Sequence, residues 1–350
     1  MTSYFLGANT PQGFVSEYDA LFHDPRIRRL LIIKGSPGCG KSTLMKAVAA
    51  RAEALGHTAE RILCSSDPDS LDGVVVPALG FAVADGTAPH VLEPPLCGLD
   101  AEYLDLGRFV DPAALRAREA ELRDAKRKNA ELYVPVYGLL RAAGAVTDTL
   151  YALAAPYLTK DVLTLALQQL AQTPVRTAGR RGQALRRFLT GVTPKGALAL
   201  APECRTLWAL EDGCGLGRAL LTRLQGLWLR GGFDVIAVCS VTEPGSLAGL
   251  LVPELSLGYL RCEPLFGLGQ QAALRLELDS VLADAATEAE LERLAFLQRQ
   301  QAVLTRRAVS CLREAKLAHD RMEAIYRDAV DFAGVSEETE RVVKQMEAMG

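Results

Sequence analysis

Apolar residues follow two rhythms along this chain. Short unbroken runs, residues 30–33 in RLLIIK and 81–84 in GFAVAD, suit strands buried on both faces. Elsewhere apolar positions recur every three or four residues. Leu44, Val48, Ala49 and Ala52 mark one such helix, with Gly56 placed as its C-terminal cap. Ile62 and Leu63 fit a further strand. Residues 112–170 and 270–349 read as long helical stretches. Strands alternating with helices predict an α/β fold with small, mostly parallel sheets and flanking helices.

The pattern is laid down twice. FLGANTPQG near the start returns as FLTGVTPKG, so that Phe5, Leu6, Thr10, Pro11 and Gly13 face Phe188, Leu189, Thr193, Pro194 and Gly196. CSSDPDSLDGVVVP returns as CSVTEPGSLAGLLVP, with Cys64, Ser65, Pro68 and Gly73 facing Cys239, Ser240, Pro244 and Gly249. Tyr151 faces Tyr326 further on. Conserved order at a nearly constant offset predicts a tandem duplication, residues 1–178 and 179–350, each opening with a TPxG strand or hairpin. The basic, breaker-rich segment 173–187 is the expected junction.

Between the first strand and its helix stands GSPGCGKS, residues 35–42, matching G-x-x-x-x-G-K-[ST] in the strand–loop–helix setting this motif requires. Glycines allow the backbone to wrap a phosphate with its N–H groups turned inward, and the helix N-terminus adds partial positive charge. Lys41 would reach the β- and γ-phosphates, and the Ser42 hydroxyl would ligate Mg²⁺. Asp85, closing the run 81–84, is the expected acidic partner for the metal. Asp67, Asp69 and Asp72 lie where a loop would leave the carboxyl edge of the sheet, able to hold metal, water or substrate, or simply to make turns.

The second copy has LEDGCGLGRALL at the corresponding place. Gly38 and Gly40 persist as Gly215 and Gly217, but Gly35, Lys41 and Ser42 become Asp212, Arg218 and Ala219, and Asp85 becomes Arg261. Asp67, Asp69 and Asp72 become Glu243, Gly245 and Ala248. The phosphate and metal residues are lost together while scaffold residues remain, which predicts one functional loop and one degenerate copy.

Composition narrows the class. Apolar residues make up 49% of the 350 and charged residues 23%, enough for a large core. A net charge of −3 argues against a nucleic-acid surface. No apolar run is long enough to span a bilayer and no signal peptide is read, so the expectation is a cytoplasmic protein without a membrane partner. The eight cysteines are scattered without a C-x-x-C pair, as expected for reduced thiols. The charged run RAREAELRDAKRKNAEL reads as a solvated helix face, with a phosphate-closing lid using Arg116, Arg118, Arg123 or Arg127 as the sharper alternative. His90 could sense a phosphate or substrate or be structural, and Cys39 could be a modifiable thiol or fill a variable position.

FLGANTPQGFVSEYDALF, the glycine loop, CSSDPDSLDGVVVP and DGTAPH together resemble a family of uncharacterised bacterial P-loop proteins. That family is known mainly from Firmicutes and described as ATPase or nucleotide-kinase-like. The resemblance implies two related P-loop halves and ATP binding through residues 35–43, and the second half departs from it. The full expectation is a nucleoside triphosphate site. Gly35, Ser36, Pro37, Gly38, Cys39, Gly40, Lys41, Ser42 and Thr43 would surround the phosphates of ATP, Ser42 and Asp85 would hold Mg²⁺, and Lys41, Asp85 and Asp67 would be catalytic. ATP hydrolysis and transfer to a small-molecule acceptor both fit; a nucleotide-driven switch with little turnover is the alternative.

Overall fold

The computed structural model describes residues 2–171, 180–269 and 271–350. In the first half, β1 (Ser3–Tyr4), the hairpin β2 (Gly7–Thr10) and β3 (Gly13–Ser16), and short α1 (Ala20–His23) precede β4 (Arg29–Lys34) and α2 (Lys41–Ala54). Then come β5 (Glu60–Leu63), β6 (Leu71–Val76), β7 (Phe81–Asp85), β8 (Glu102–Asp105), α3 (Pro112–Ala117), α4 (Glu119–Ala154) and α5 (Lys160–Leu170). The second half repeats this as β9 (Ala184–Arg187), β10 (Thr190–Thr193), β11 (Gly196–Ala199), β12 (Thr206–Glu211), α6 (Gly217–Arg230), β13 (Val235–Cys239) and β14 (Leu247–Val252). It continues with β15 (Leu257–Cys262), β16 (Leu274–Glu277), α7 (Ser280–Ala285), α8 (Glu288–Arg327) and α9 (Phe332–Glu347).

Two six-stranded sheets result, ordered β1-β5-β6-β7-β4-β8 and β9-β13-β14-β15-β12-β16 when the second is written in the same sense. Position by position they match. Arg29 pairs with Phe81 and Thr206 with Leu257, and each sheet has a register shift at one place, Ile62/Leu63 and Val238/Cys239. Five strands of each sheet run the same way, but β6 and β14, near the middle, run antiparallel to both neighbours, so the sheets are mixed.

Three elements depart from the sequence expectation. β6, six residues all buried, begins inside what read as a loop, because Asp72 and Gly73 disguise a strand whose Val74, Val75 and Val76 are core. β8 and β16 are short, mostly exposed edge strands of four residues with two apolar positions each, too short a pattern to read as strands. The helical stretch expected over 270–349 therefore begins only at Ser280, after β16; Gln270 and residues 173–179 of the expected junction lie outside the described residues.

The TPxG repeat is explained by its turn. Thr10 Oγ1 accepts from the Gln12 N–H at 3.2 Å and donates to the Gly13 carbonyl at 2.8 Å, while Gly13 takes a φ of 106° that other residues resist. Thr193, Lys195 and Gly196 repeat it at 3.2 and 2.9 Å, with a φ of 127°. Phe5 and Phe188, equivalent positions, donate their N–H groups to each other's carbonyls at 2.9 Å, as two identical patches meeting across a twofold axis would.

The long helices cross between the halves. α4 and α8 pack antiparallel, joined by Arg118–Asp328 at one end and by Gln301 Nε2 donating to Thr147 Oγ1 at the other. α8 is started by a capping box, with Thr287 accepting from the Glu290 N–H and Glu290 reaching back. After crossing, α4 and α5 place Leu150, Ala154, Leu163, Ala166 and Leu170 in the core beside α6. α9 places Val342 and Met346 in the core beside α2. Each buried side chain of this kind contributes about 1.5–3 kcal/mol, so each sheet is completed by helices from the other half of the chain. Among the described residues no helix is long and apolar enough to cross a membrane.

Candidate functional site

The glycine loop leaves the end of β4 and turns into α2. Gly38 and Gly40 have φ of 71° and 93°, the left-handed conformations that bend the chain into the helix. Gly35 lies under the loop, where a Cβ would come within 2.7 Å of Cys39 Sγ. Pro37 lies between, Cys39 is buried, and Thr43 is exposed on the first turn. Lys41 folds back on the loop, its Nζ donating to the Gly35 and Ser36 carbonyls at 3.1 and 3.0 Å and lying 3.5 Å from Asp85 Oδ2. Ser42 Oγ accepts from the Leu71 N–H at 2.9 Å. Burial pushes the Cys39 thiol up, so it is neutral at pH 7 and a packing residue rather than a thiolate.

Asp85 stands at the end of β7, paired in register with Ile33 two residues before Gly35. Its Oδ1 accepts from the Thr87 N–H at 2.9 Å and from Thr87 Oγ1 at 2.6 Å, which leaves Oδ2 toward Lys41. The carboxylate gathered beside it is Asp72, which antiparallel β6 carries back to the loop. Donor atoms of Asp72, Asp85 and His90 all lie within 4.8 Å of one another, and all three residues are buried. Tyr18 donates to Asp72 Oδ2 at 3.1 Å and stacks on the His90 ring with centroids 4.7 Å apart. Burial raises the Asp72 carboxyl above its ordinary range, with His90 opposing and Asp85 reinforcing, and burial likewise lifts Cys64 and Tyr18.

Asp67 and Asp69 go elsewhere. Asp67 accepts from Ser70 Oγ at 2.9 Å and lies 3.4 Å from Lys316 of α8. Asp69 pairs with Lys195 of the second hairpin at 2.5 Å. The end of α8 abuts the glycine loop itself: a Cβ on Gly38 would meet the Glu323 carbonyl at 2.9 Å and Arg327 Cγ at 3.0 Å. Lys316, Glu323 and Arg327 carry no sequence signal tying them to a loop nearly 300 positions earlier. The lid candidates stay on the surface, with Arg118, Arg123 and Arg127 in exposed pairs with Glu121, Glu119, Asp124 and Glu131.

In the second lobe the corresponding place is filled from within. Asp212 Oδ1 accepts from the Leu216 N–H at 2.6 Å and Oδ2 from the Gly217 N–H at 2.9 Å. These are the N–H groups a bound anion would take at a helix start. Arg261, in the register position of Asp85, lies 2.7 Å from Asp212, 2.7 Å from Glu243 and 3.7 Å from Glu263. Gly217 is already helical here, without the left-handed turn of Gly40. Arg218, standing where the first copy has Lys41, stacks its guanidinium 3.1 Å from the ring centroid of Tyr151, from α4. The cavity beside Asp212, Glu243 and Glu263 is about 60 Å³, far below the roughly 300 Å³ at which small-molecule pockets begin.

Chemically, the first loop offers an anion-binding helix start with a lysine, and beside it oxygen donors from Ser42 and Asp85 that suit a hard divalent cation. The second offers neither. No family model, curated protein or solved structure matches the chain.

Proposed function

We propose that the protein binds ATP with Mg²⁺ at a single site on the loop of residues 35–43 and uses it as an ATPase or a phosphotransferase. The observation that carries this is the contrast between the two loops. The second places its own Asp212 carboxylate on the helix-start N–H groups and neutralises it with Arg261. The first has Gly35 at that position and keeps Lys41 beside Asp85. Lys41 would leave the Gly35 and Ser36 carbonyls for the β- and γ-phosphates, and Ser42 and Asp85 would hold the metal. The loop, its helix and the adjacent acid support reading the first lobe as P-loop NTPase-like and the second as a degenerate copy.

Equilibrium binding of Mg²⁺-ATP is expected to give one nucleotide per chain, and Lys41→Ala to weaken it at least about tenfold, as loss of a charge-assisted phosphate contact implies. Two nucleotides per chain, or unchanged affinity in a Lys41→Ala variant that melts like the wild type, would refute the reading. Phosphate release with and without nucleoside monophosphates then separates hydrolysis from transfer.

One observation favours a second reading. The end of α8 touches Gly38, so a ligand on the loop acts directly on a helix that spans both lobes. A nucleotide-driven switch would bind ATP tightly with negligible turnover under either assay condition.

A further inference from the structure

Beside the glycine loop lies a donor set of which the proposed phosphate chemistry uses Asp85 but neither Asp72 nor His90. His90 is only 6% exposed, and neither of its ring nitrogens has a hydrogen-bond partner among the described residues. Burying a polar ring without partners costs free energy that something must offset. Its Nε2 faces Asp72 Oδ1 at 3.9 Å, and the Asp85 carboxylate completes a group whose donor atoms lie within 4.8 Å. The other contacts fix the donors in place. Tyr18 holds Asp72 Oδ2 and stacks on His90, while Thr87 holds Asp85 Oδ1. Ligating carboxylates are typically oriented by hydrogen-bond donors of this kind.

The duplicated lobe provides an internal comparison. Where the first sheet carries Asp85, the second carries Arg261, whose guanidinium sits among Asp212, Glu243 and Glu263. The second lobe therefore supplies a covalent cation at this depth of the fold. Among the described residues Lys41 is the cation paired with Asp85, at 3.5 Å and engaged with two carbonyls of the loop, and the first lobe gathers two carboxylates and an imidazole instead.

We propose that Asp72, Asp85 and His90 form a binding site for a divalent transition-metal ion, of the Mn²⁺ or Zn²⁺ class, that fills without nucleotide. One imidazole with two carboxylates selects a borderline cation over Mg²⁺, which favours an all-oxygen shell and dehydrates reluctantly. Metal–donor distances near 2.0–2.2 Å place donors roughly 3–4 Å apart, so the group closes by about an ångström on the ion. Asp85 is shared with the nucleotide site proposed above, which makes the ion a neighbour of any bound phosphate.

The test uses metal-stripped full-length protein, Mn²⁺ alone and no nucleotide. Free Mn²⁺ is followed by electron paramagnetic resonance, and the bound ion by spin-echo spectroscopy for coupling to ¹⁴N. One site per chain with nitrogen coupling is expected, competed by Mg²⁺ only in about hundredfold excess or more. His90→Gln should lose the coupling and weaken binding at least about a hundredfold, beyond the 10–100-fold typical of outer-shell partners. Lys41→Ala should retain the site. Should His90→Gln melt abnormally, Asp72→Asn, which can still accept from Tyr18, makes the comparison by affinity. Equal affinity of wild type and the folded variant, absence of nitrogen coupling, or equal competition by Mg²⁺ would overturn the proposal. Because nucleotide is omitted, a failed metal site leaves ATP binding standing, and a failed ATP site leaves the metal result standing.

Discussion

Arg261 shows how much one buried residue decides. Three carboxylates, Asp212, Glu243 and Glu263, share its guanidinium, and the two nearer ones occupy it at 2.7 Å. Burial, against the pull of Arg261 and with the push of Glu243 and Asp212, raises the Glu263 carboxyl to about 7. An unfolded Glu ionises near 4.5, so between about pH 4.5 and 7 the unfolded chain holds fewer protons than the folded one. Stability is lost as pH rises through this window and stays lower above it. Glu263→Gln removes this loss. Denaturation across pH should show the variant more stable than wild type by about 1–3 kcal/mol at pH 8 and nearly equal to it at pH 4. Both tryptophans, Trp208 and Trp228, lie in the second half, so their fluorescence reports this lobe. A constant difference across the range would refute the assignment.

At the scale of elements, the glycine loop and α8 are fitted to each other. Gly38 combines a φ of 71° with α8 backbone where a Cβ would sit, 2.9 Å from the Glu323 carbonyl. Gly13 has a strained φ of 106° but open space around it. Gly13→Ala meets only the backbone penalty, about 1 kcal/mol or somewhat more, whereas Gly38→Ala must also push back α8, a further 1–3 kcal/mol. Denaturant midpoints of the two variants test this, and equal effects would mean that α8 yields freely at the loop. The loop itself was legible in sequence because strand, glycines, lysine and helix are contiguous. The Asp72–Asp85–His90 group was not, because its members come from β6, β7 and the turn beyond. β6 was hidden by the Asp72-Gly73 start that read as a turn.

Across the whole molecule, the repeat in the sequence becomes two sheets joined by exchanged helices. The α2 face is covered by Val342 and Met346 of α9, and the α6 face by residues of α4 and α5. A chain of residues 1–178 would lack α8 and α9, exposing the α2 face while its own α4 and α5 had no partner. It is expected to be aggregated or dimeric in size-exclusion chromatography and deficient in ATP binding. Co-expression with residues 179–350 should restore a 1:1 species that binds ATP. A monomeric, ATP-binding 1–178 fragment would show that the exchanged helices are dispensable.

The chain's own order determined the α/β class, the twofold repeat of its elements, and the glycine loop together with its altered counterpart. These follow from periodicity and from residues adjacent in sequence, where local conformation and composition suffice. Tertiary structure decided which carboxylate stands with Asp85 and which residue accepts from the N–H groups at the start of α6. It also decided that α8, from the second half, lies against the first half's glycines. Each of these depends on strand direction or on helix crossing over long separations. Apolar burial drives such pairings without regard to where along the chain the partners occur, so no local pattern encodes them.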